Sequence, residues 1–138
     1  AKGLSHEDSL LQPPFRSNCL NWVLGHIAVS RDDMLHLVGQ EGLLTAEEIT
    51  LYNRGSEAIT ADNAVSLESL LARLKASGQQ IRTALKEASP DLAETIVDEE
   101  SKETLIERLA GLQWHETYHI GQLEILRQIA GTDDVIIP

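Results

Sequence analysis

The sequence is poor in cysteine, aromatic residues and positive charge, and it has no long hydrophobic run. Its one cysteine, Cys19, has no partner for an intramolecular disulfide, which excludes a disulfide scaffold and fits a cytoplasmic setting. No stretch approaches the ~18 apolar residues of a membrane span, and the first residues, Ala1 to Asp8, lack the charged-then-apolar layout of a signal peptide. Lys and Arg number 11 against 22 Asp and Glu, for a net charge of −11. Such a surface repels phosphate backbones and anionic lipid, so neither nucleic acid nor a membrane is an expected partner. Aromatics make up 4% of the chain and no segment sustains a period-2 alternation, which argues against a β-rich fold.

What is present is the composition of an ordinary globular chain, 42% hydrophobic and 24% charged over 138 residues, sized for a single domain spanning residues 1–138. Four segments repeat at the helical period, which predicts an all-α fold. The first helix follows Pro13-Pro14, with Ser17 or Asn18 as N-cap. It carries Cys19, Val23, His26, Ile27, Ser30, Met34 and Leu37 on one stripe and stops at Gly39. Thr45-Ala46-Glu47-Glu48 is a capping box for a short second helix that Asn53-Arg54-Gly55 ends. The third opens at Ser66, spaces Leu67, Leu70, Leu71, Leu74, Ile81 and Leu85 three or four residues apart, and stops at Ser89-Pro90. The fourth, about 30 residues capped by Ser101 and closed by Gly131, places Leu105, Leu109, Leu112, His119, Leu123 and Leu126 on one face. The tail Asp133 to Pro138 is too short to be a domain. Three long amphipathic helices imply a bundle, and bundles of this kind close with four. The first bundle helix is therefore expected upstream, with Ala1 to Leu4 as its last turn, and a homodimer is expected because an open groove on a three-helix core needs a cover.

The motif that carries chemistry is His115-Glu116-Thr117-Tyr118-His119, in the middle of the fourth helix. At about 100° per residue its two imidazoles lie about 40° apart on one face and one turn apart, a spacing that chelates one metal ion. His119 continues the stripe of Leu112, Leu123 and Leu126, which aims the pair into the bundle, and Gly111 leaves room beside His115. His26, between Val23 and Ser30 on the apolar stripe of the first helix, is predicted to face the same interior. Each signal alone has an ordinary structural reading, a surface pair or a hydrogen-bonded core histidine. Three of five histidines aimed into one bundle is the pattern of a three-histidine metal site with positions left open for water or substrate.

Two segments carry a family resemblance. Asn18-x-x-Asn21-Trp22-Val23-Leu24-Gly25-His26-Ile27 and His115-Glu116-x-Tyr118-His119-Ile120-Gly121-Gln122-Leu123 resemble the signature segments of the DinB/YfiT-like superfamily. The resemblance runs over about residues 4 to 130 in order and spacing, with His26 and His115 separated by 89 positions. It implies a four-helix bundle that often pairs as a dimer, and a divalent metal, often nickel or zinc, held by His26, His115 and His119. The family opens with a helix ahead of the proline-containing turn, and this chain supplies at most its end, so that helix is expected to be truncated or absent here. Its members include transferases and isomerases that use bacillithiol, mycothiol or glutathione, and others described as hydrolases. The expected function is transfer of a low-molecular-weight thiol to a small electrophilic substrate. The alternatives are a metal-dependent hydrolase and a non-catalytic metal-binding stress-response protein.

Glu116 has two readings: a solvated or supporting carboxylate, or a general base reaching a water at the metal, for which it must lie within hydrogen-bond distance of that water. Trp22, Tyr118 and Gln122 flank the histidines and are the candidates to line the mouth of a substrate pocket, with ordinary bundle packing as the other reading. The same five-residue motif also satisfies the zincin pattern. A metzincin, however, needs a glycine three residues after the second histidine and a further histidine beyond it, and here Gly121 comes two residues after His119 and no histidine follows. Cys19, almost on the His26 azimuth but two turns or roughly 10 Å away, reads as a small buried hydrophobe, and His6 and His36 read as structural or surface residues.

Overall fold

Eleven consecutive residues, Leu20 to Ser30, carry no charge, and all eleven are buried. In the computed structural model of the chain, which describes residues 1–132, they open α2 (Leu20–Leu37). The helical period predicts one buried stripe on this helix; the structure buries nearly its whole circumference, as an all-round apolar helix requires. The cause is its position. α4 (Leu67–Glu87) and α5 (Leu105–Ile129) both lie against α2, and the short α1 (His6–Ser9) and α3 (Ala46–Tyr52) add to its cover. The helical-bundle architecture predicted from the sequence is the one observed.

Two apolar clusters fix the helix directions. One joins the start of α2 through Leu20, Val23 and Leu24 to Leu67 and Leu70 of α4 and to Leu126 near the end of α5. The other joins Met34 and Val38 to Leu105 and Leu109 at the start of α5, with Ile81 and Ala84 of α4 beside them. α2 and α4 therefore run parallel, and α5 runs antiparallel to both. Burial of a side chain such as Leu70 or Leu105 contributes about 1.5–3 kcal/mol. The α4 face is narrower than its leucine spacing predicts. Leu67, Leu70 and Ser77 are buried and Leu74 and Ile81 partly so, whereas Leu71 and Leu85 flank that line and are exposed.

Local signals place most helix ends. Thr45 forms the predicted capping box with Glu48, Ser66 caps α4, and the segment after α3 turns at Gly55, whose φ is 85°. α2 and α5 both end in a Schellman motif. Gly39 (φ 75°) and Gly131 (φ 85°) take the left-handed position, while Gln40 N–H reaches the Leu35 carbonyl and Thr132 N–H the Arg127 carbonyl.

Three expectations are corrected. Cys19, with extended backbone and no side-chain cap bond, is the N-cap of α2, in place of Ser17 or Asn18. α5 begins at Leu105 and has 25 residues, because Ile96–Asp98 (β1) pairs antiparallel with Glu103–Thr104 (β2). The Asp98 carboxylate ties down the N–H groups of Glu100 and Ser101 in the connecting turn, so Ser101 is unable to cap the helix and Thr104 does so, in a capping box with Glu107. Ala1 to Leu4 is not helical: Gly3 has a φ of 84° and the Leu4 N–H closes a turn on the Ala1 carbonyl. The tail Asp133 to Pro138 lies outside the described residues. Among the described residues no helix is long and apolar enough to cross a membrane.

Candidate metal centre

Between the two apolar clusters lies a polar layer made by α2 and α5. The core line of α5 steps four and three residues at a time through Leu105, Leu109, Leu112, Glu116, His119, Leu123 and Leu126, all buried or partly buried. His115 stands one position off that line, partly buried, and its ring meets those of His26 and His119. The centroids are 5.1 Å apart for His26 and His115, 5.0 Å for His26 and His119, and 4.5 Å for His115 and His119, each pair edge to face. One ring nitrogen from each of the three lies within 4.8 Å of the other two.

The outer nitrogens are all engaged, which decides what the inner ones can do. His26 Nδ1 is 2.9 Å from the Tyr52 carbonyl oxygen, which can only accept, so that nitrogen carries the hydrogen. His119 Nδ1 lies 2.6 Å from Gln122 Oε1, again an acceptor. The Ser30 hydroxyl donates to the His26 carbonyl and so accepts from His115 Nδ1, 3.3 Å away. Each ring thus points a bare Nε2 lone pair inward. Fixing the tautomer through the outer nitrogen is how proteins orient metal-binding imidazoles. The Nε2 atoms of His115 and His119 are 3.0 Å apart, too close for two bare lone pairs unless a cation or a shared proton sits between them. The donor set therefore fits a divalent metal, and an all-imidazole set suits a transition ion better than calcium or magnesium, which take oxygen ligands.

His26 and His119 are 9% and 7% exposed, and burial is the main cause that holds the pKa of each below the ordinary 6.5. The Tyr52 carbonyl and Gln122 oppose the shift, and the neighbouring histidines, with Arg54 in the case of His26, add to it. Well above pH 6.5 these rings are neutral in both folded and unfolded chains and contribute nothing to the pH dependence. Below it the unfolded chain takes up protons that the fold refuses, so stability is lost as pH falls towards the depressed folded pKa values. The metal-free protein is expected to melt at a lower temperature at about pH 5.5 than at about pH 7.5. An unchanged melting temperature in calorimetry would contradict the packing of these rings.

A cavity of about 390 Å³ opens onto the three histidines, and Trp22, Tyr118 and Gln122 line it with them. The Trp22 ring stacks on His26 at 4.7 Å and 16°, held there by its indole N–H donating to Ser56 Oγ at 2.9 Å. Tyr118 sits edge-on to His119 and is 56% exposed, so it stands at the mouth.

Glu116 is outside the cavity lining and 7% exposed. Arg31 holds it with two bonds, Nε to Oε2 at 3.0 Å and Nη2 to Oε1 at 2.5 Å, while Arg31 Nη1 donates to the Leu74 carbonyl. A single residue step turns the direction of residue 116 by about 100° from that of residue 115, which aims the carboxylate between α2 and α4, where Arg31 meets it. Both carboxylate oxygens are thereby committed to a guanidinium, an arrangement that positions α5 and leaves no basic oxygen facing the cavity. Cys19 is 1% exposed, with burial pushing its thiol pKa up, and it is not part of the histidine cluster. His6 accepts the Leu67 N–H at the start of α4, and His36 is exposed. Sequence reasoning did not single out Arg31, Tyr52 and Ser30 as supports, nor two arginines, Arg16 and Arg54, that also line the cavity.

A family profile described as the DinB superfamily matches residues 1–123, so the chain belongs to that superfamily and is a metal-binding protein of the DinB type. No curated protein and no solved structure matches it significantly.

Proposed function

We propose that this member of the DinB superfamily is a nickel- or zinc-dependent transferase that joins a low-molecular-weight thiol to a small electrophile. The observation that carries the reading is a three-imidazole donor set whose free side faces an open cavity, since a catalytic site keeps positions that a structural site fills. When bound, the metal supplies Lewis acidity that makes a thiol or a water a nucleophile near neutral pH. Around it, Trp22 and Tyr118 form apolar walls for an electrophile, and Gln122 holds His119 in the tautomer that presents Nε2. The choice of thiol over water rests on Glu116. Hydrolysis wants a positioned base for the attacking water, and the one carboxylate of the histidine motif is bound to Arg31. A thiol is acidic enough to need no such base. Its sulfur forms the new bond to carbon, its proton goes to solvent, and the leaving group departs from the electrophile with the displaced electron pair.

The test is an assay of the metal-loaded protein with glutathione, cysteine or 2-mercaptoethanol and a halogenated nitroarene. Product formation is expected to require both metal and thiol and to saturate in each substrate. Turnover of an activated ester that ignores the thiol would favour the hydrolase reading, and a fully loaded protein inert in both assays would favour a non-catalytic metal-binding role.

A further inference from the structure

Arg16, in the loop ahead of α2, and Arg54, in the turn after α3, both line the cavity over the histidines. In a chain with 22 acidic residues, no Asp or Glu lines that cavity among the described residues. Neither guanidinium forms an ion pair among the described residues, whereas Arg31, Arg73 and Arg108 each have a carboxylate partner. The start of the 18-residue α2 opens onto the same space, with Ser17 and Asn18 lining it and no side-chain cap bond from Cys19. Two guanidinium charges, the positive end of a long helix and a site for a divalent cation therefore share one cavity with nothing anionic to balance them. Such a basin in an otherwise acidic protein concentrates field and draws in anions.

We propose that the ligand of this cavity is a small carboxylate, its oxyanion held by Arg16 and Arg54 and its reacting atom at the three histidines. Guanidinium matches carboxylate geometry with paired N–H donors, which makes arginine the residue for this recognition. The proposal rests on the thiol-transfer reading only for what happens at the other end of the ligand. The carboxylate can belong to the thiol or to the electrophile, and the two sources give different results.

The cobalt-loaded protein is titrated with 3-mercaptopropionate and with 2-mercaptoethanol, following the sulfur-to-cobalt charge-transfer absorption. Succinate, which has no sulfur, is titrated calorimetrically into the metal-free and the loaded protein. All are repeated with the Arg16→Gln/Arg54→Gln double variant, whose helical signal and metal content are checked first. Both arginines are exposed, so the variant is expected to fold; the single variants replace it should its helical signal fall. If the thiol bears the carboxylate, 3-mercaptopropionate binds about tenfold or more tighter than 2-mercaptoethanol, the worth of one charge-assisted hydrogen bond, and the preference vanishes in the variant. If the electrophile bears it, the two thiols bind alike and succinate binds in an arginine-dependent way. Arginine-dependent succinate binding with no thiol binding at all would retain the carboxylate subsite and remove the thiol-transfer reading. Carboxylate binding that is absent, or that survives unchanged in the variant, would overturn the proposal.

Discussion

Replacing His115 by alanine is expected to lower the metal affinity of the protein by about two to three orders of magnitude while leaving its helix content intact. Structural zinc sites of four protein ligands are worth about 10–16 kcal/mol, so one ligand carries about 2.5–4 kcal/mol, which converts to about that fold-change. The helix survives because alanine has the best helix propensity and position 115 lies off the apolar line of α5. The metal-free variant has a second signature. In the metal-free wild type the His115 and His119 Nε2 atoms, both bare in the tautomers that Ser30 and Gln122 favour, face each other at 3.0 Å. Removing one relieves that repulsion, so the metal-free variant is expected to melt no lower than the metal-free wild type. Metal analysis after tag-free purification, with His36→Ala as an exposed control, measures the first effect and calorimetry the second. Full occupancy in His115→Ala would show that the cluster is not the metal site.

The parts of this site that a sequence reader can find are those with a local or periodic cause. The capping box at Thr45, the caps at Ser66 and the glycines at 39 and 131 each act within one helical turn, and each is where the local rule puts it. The convergence of His26, His115 and His119 follows from the 3.6-residue period of two helices. Glu116 shows how a residue type can mislead. Its place in the step from Leu112 to His119 is a core position, but a glutamate reads as solvated until its partner Arg31 is seen. The Tyr52 carbonyl that sets the His26 tautomer is a backbone group and has no signature in any sequence. β1 and β2, of three and two residues, are too short for a period-2 pattern to register. Arg16 and Arg54 come from separate loops, and only the fold brings them to one cavity.

The largest effect on stability is expected at a residue that touches no ligand. A Cβ at Gly25 would fall inside the ring of Tyr52, meeting Cδ1, Cγ and Cε1 at once, with no flexible side-chain end to yield. Tyr52 is 0% exposed and has little room to retreat. Its hydroxyl donates to Asn21 Oδ1 at 2.8 Å and accepts from the Val65 N–H at 2.9 Å, while Asn21 Nδ2 donates to the Val65 carbonyl, closing a buried loop between α2, α3 and the start of α4. Gly25→Ala must therefore either strain the α2–α3 contact or break that network. Overpacking of a rigid core costs about 1–3 kcal/mol, and loss of buried hydrogen bonds raises the expected total to about 3–5 kcal/mol. The same displacement carries the Tyr52 carbonyl away from His26 Nδ1 at the next position, releasing the ring from its metal-binding tautomer. Supporting bonds of this kind are worth about 10- to 100-fold in metal affinity. Denaturant unfolding of the metal-free protein reads the first effect and a competitive chelator titration the second. Tyr52→Phe separates them, since it keeps the ring and its backbone carbonyl while losing the hydroxyl bonds: it should lose stability and hold its metal. A Gly25→Ala variant within about 1 kcal/mol of wild type and unchanged in metal affinity would mean that the Tyr52 ring does not lie against α2 at this glycine and does not position His26.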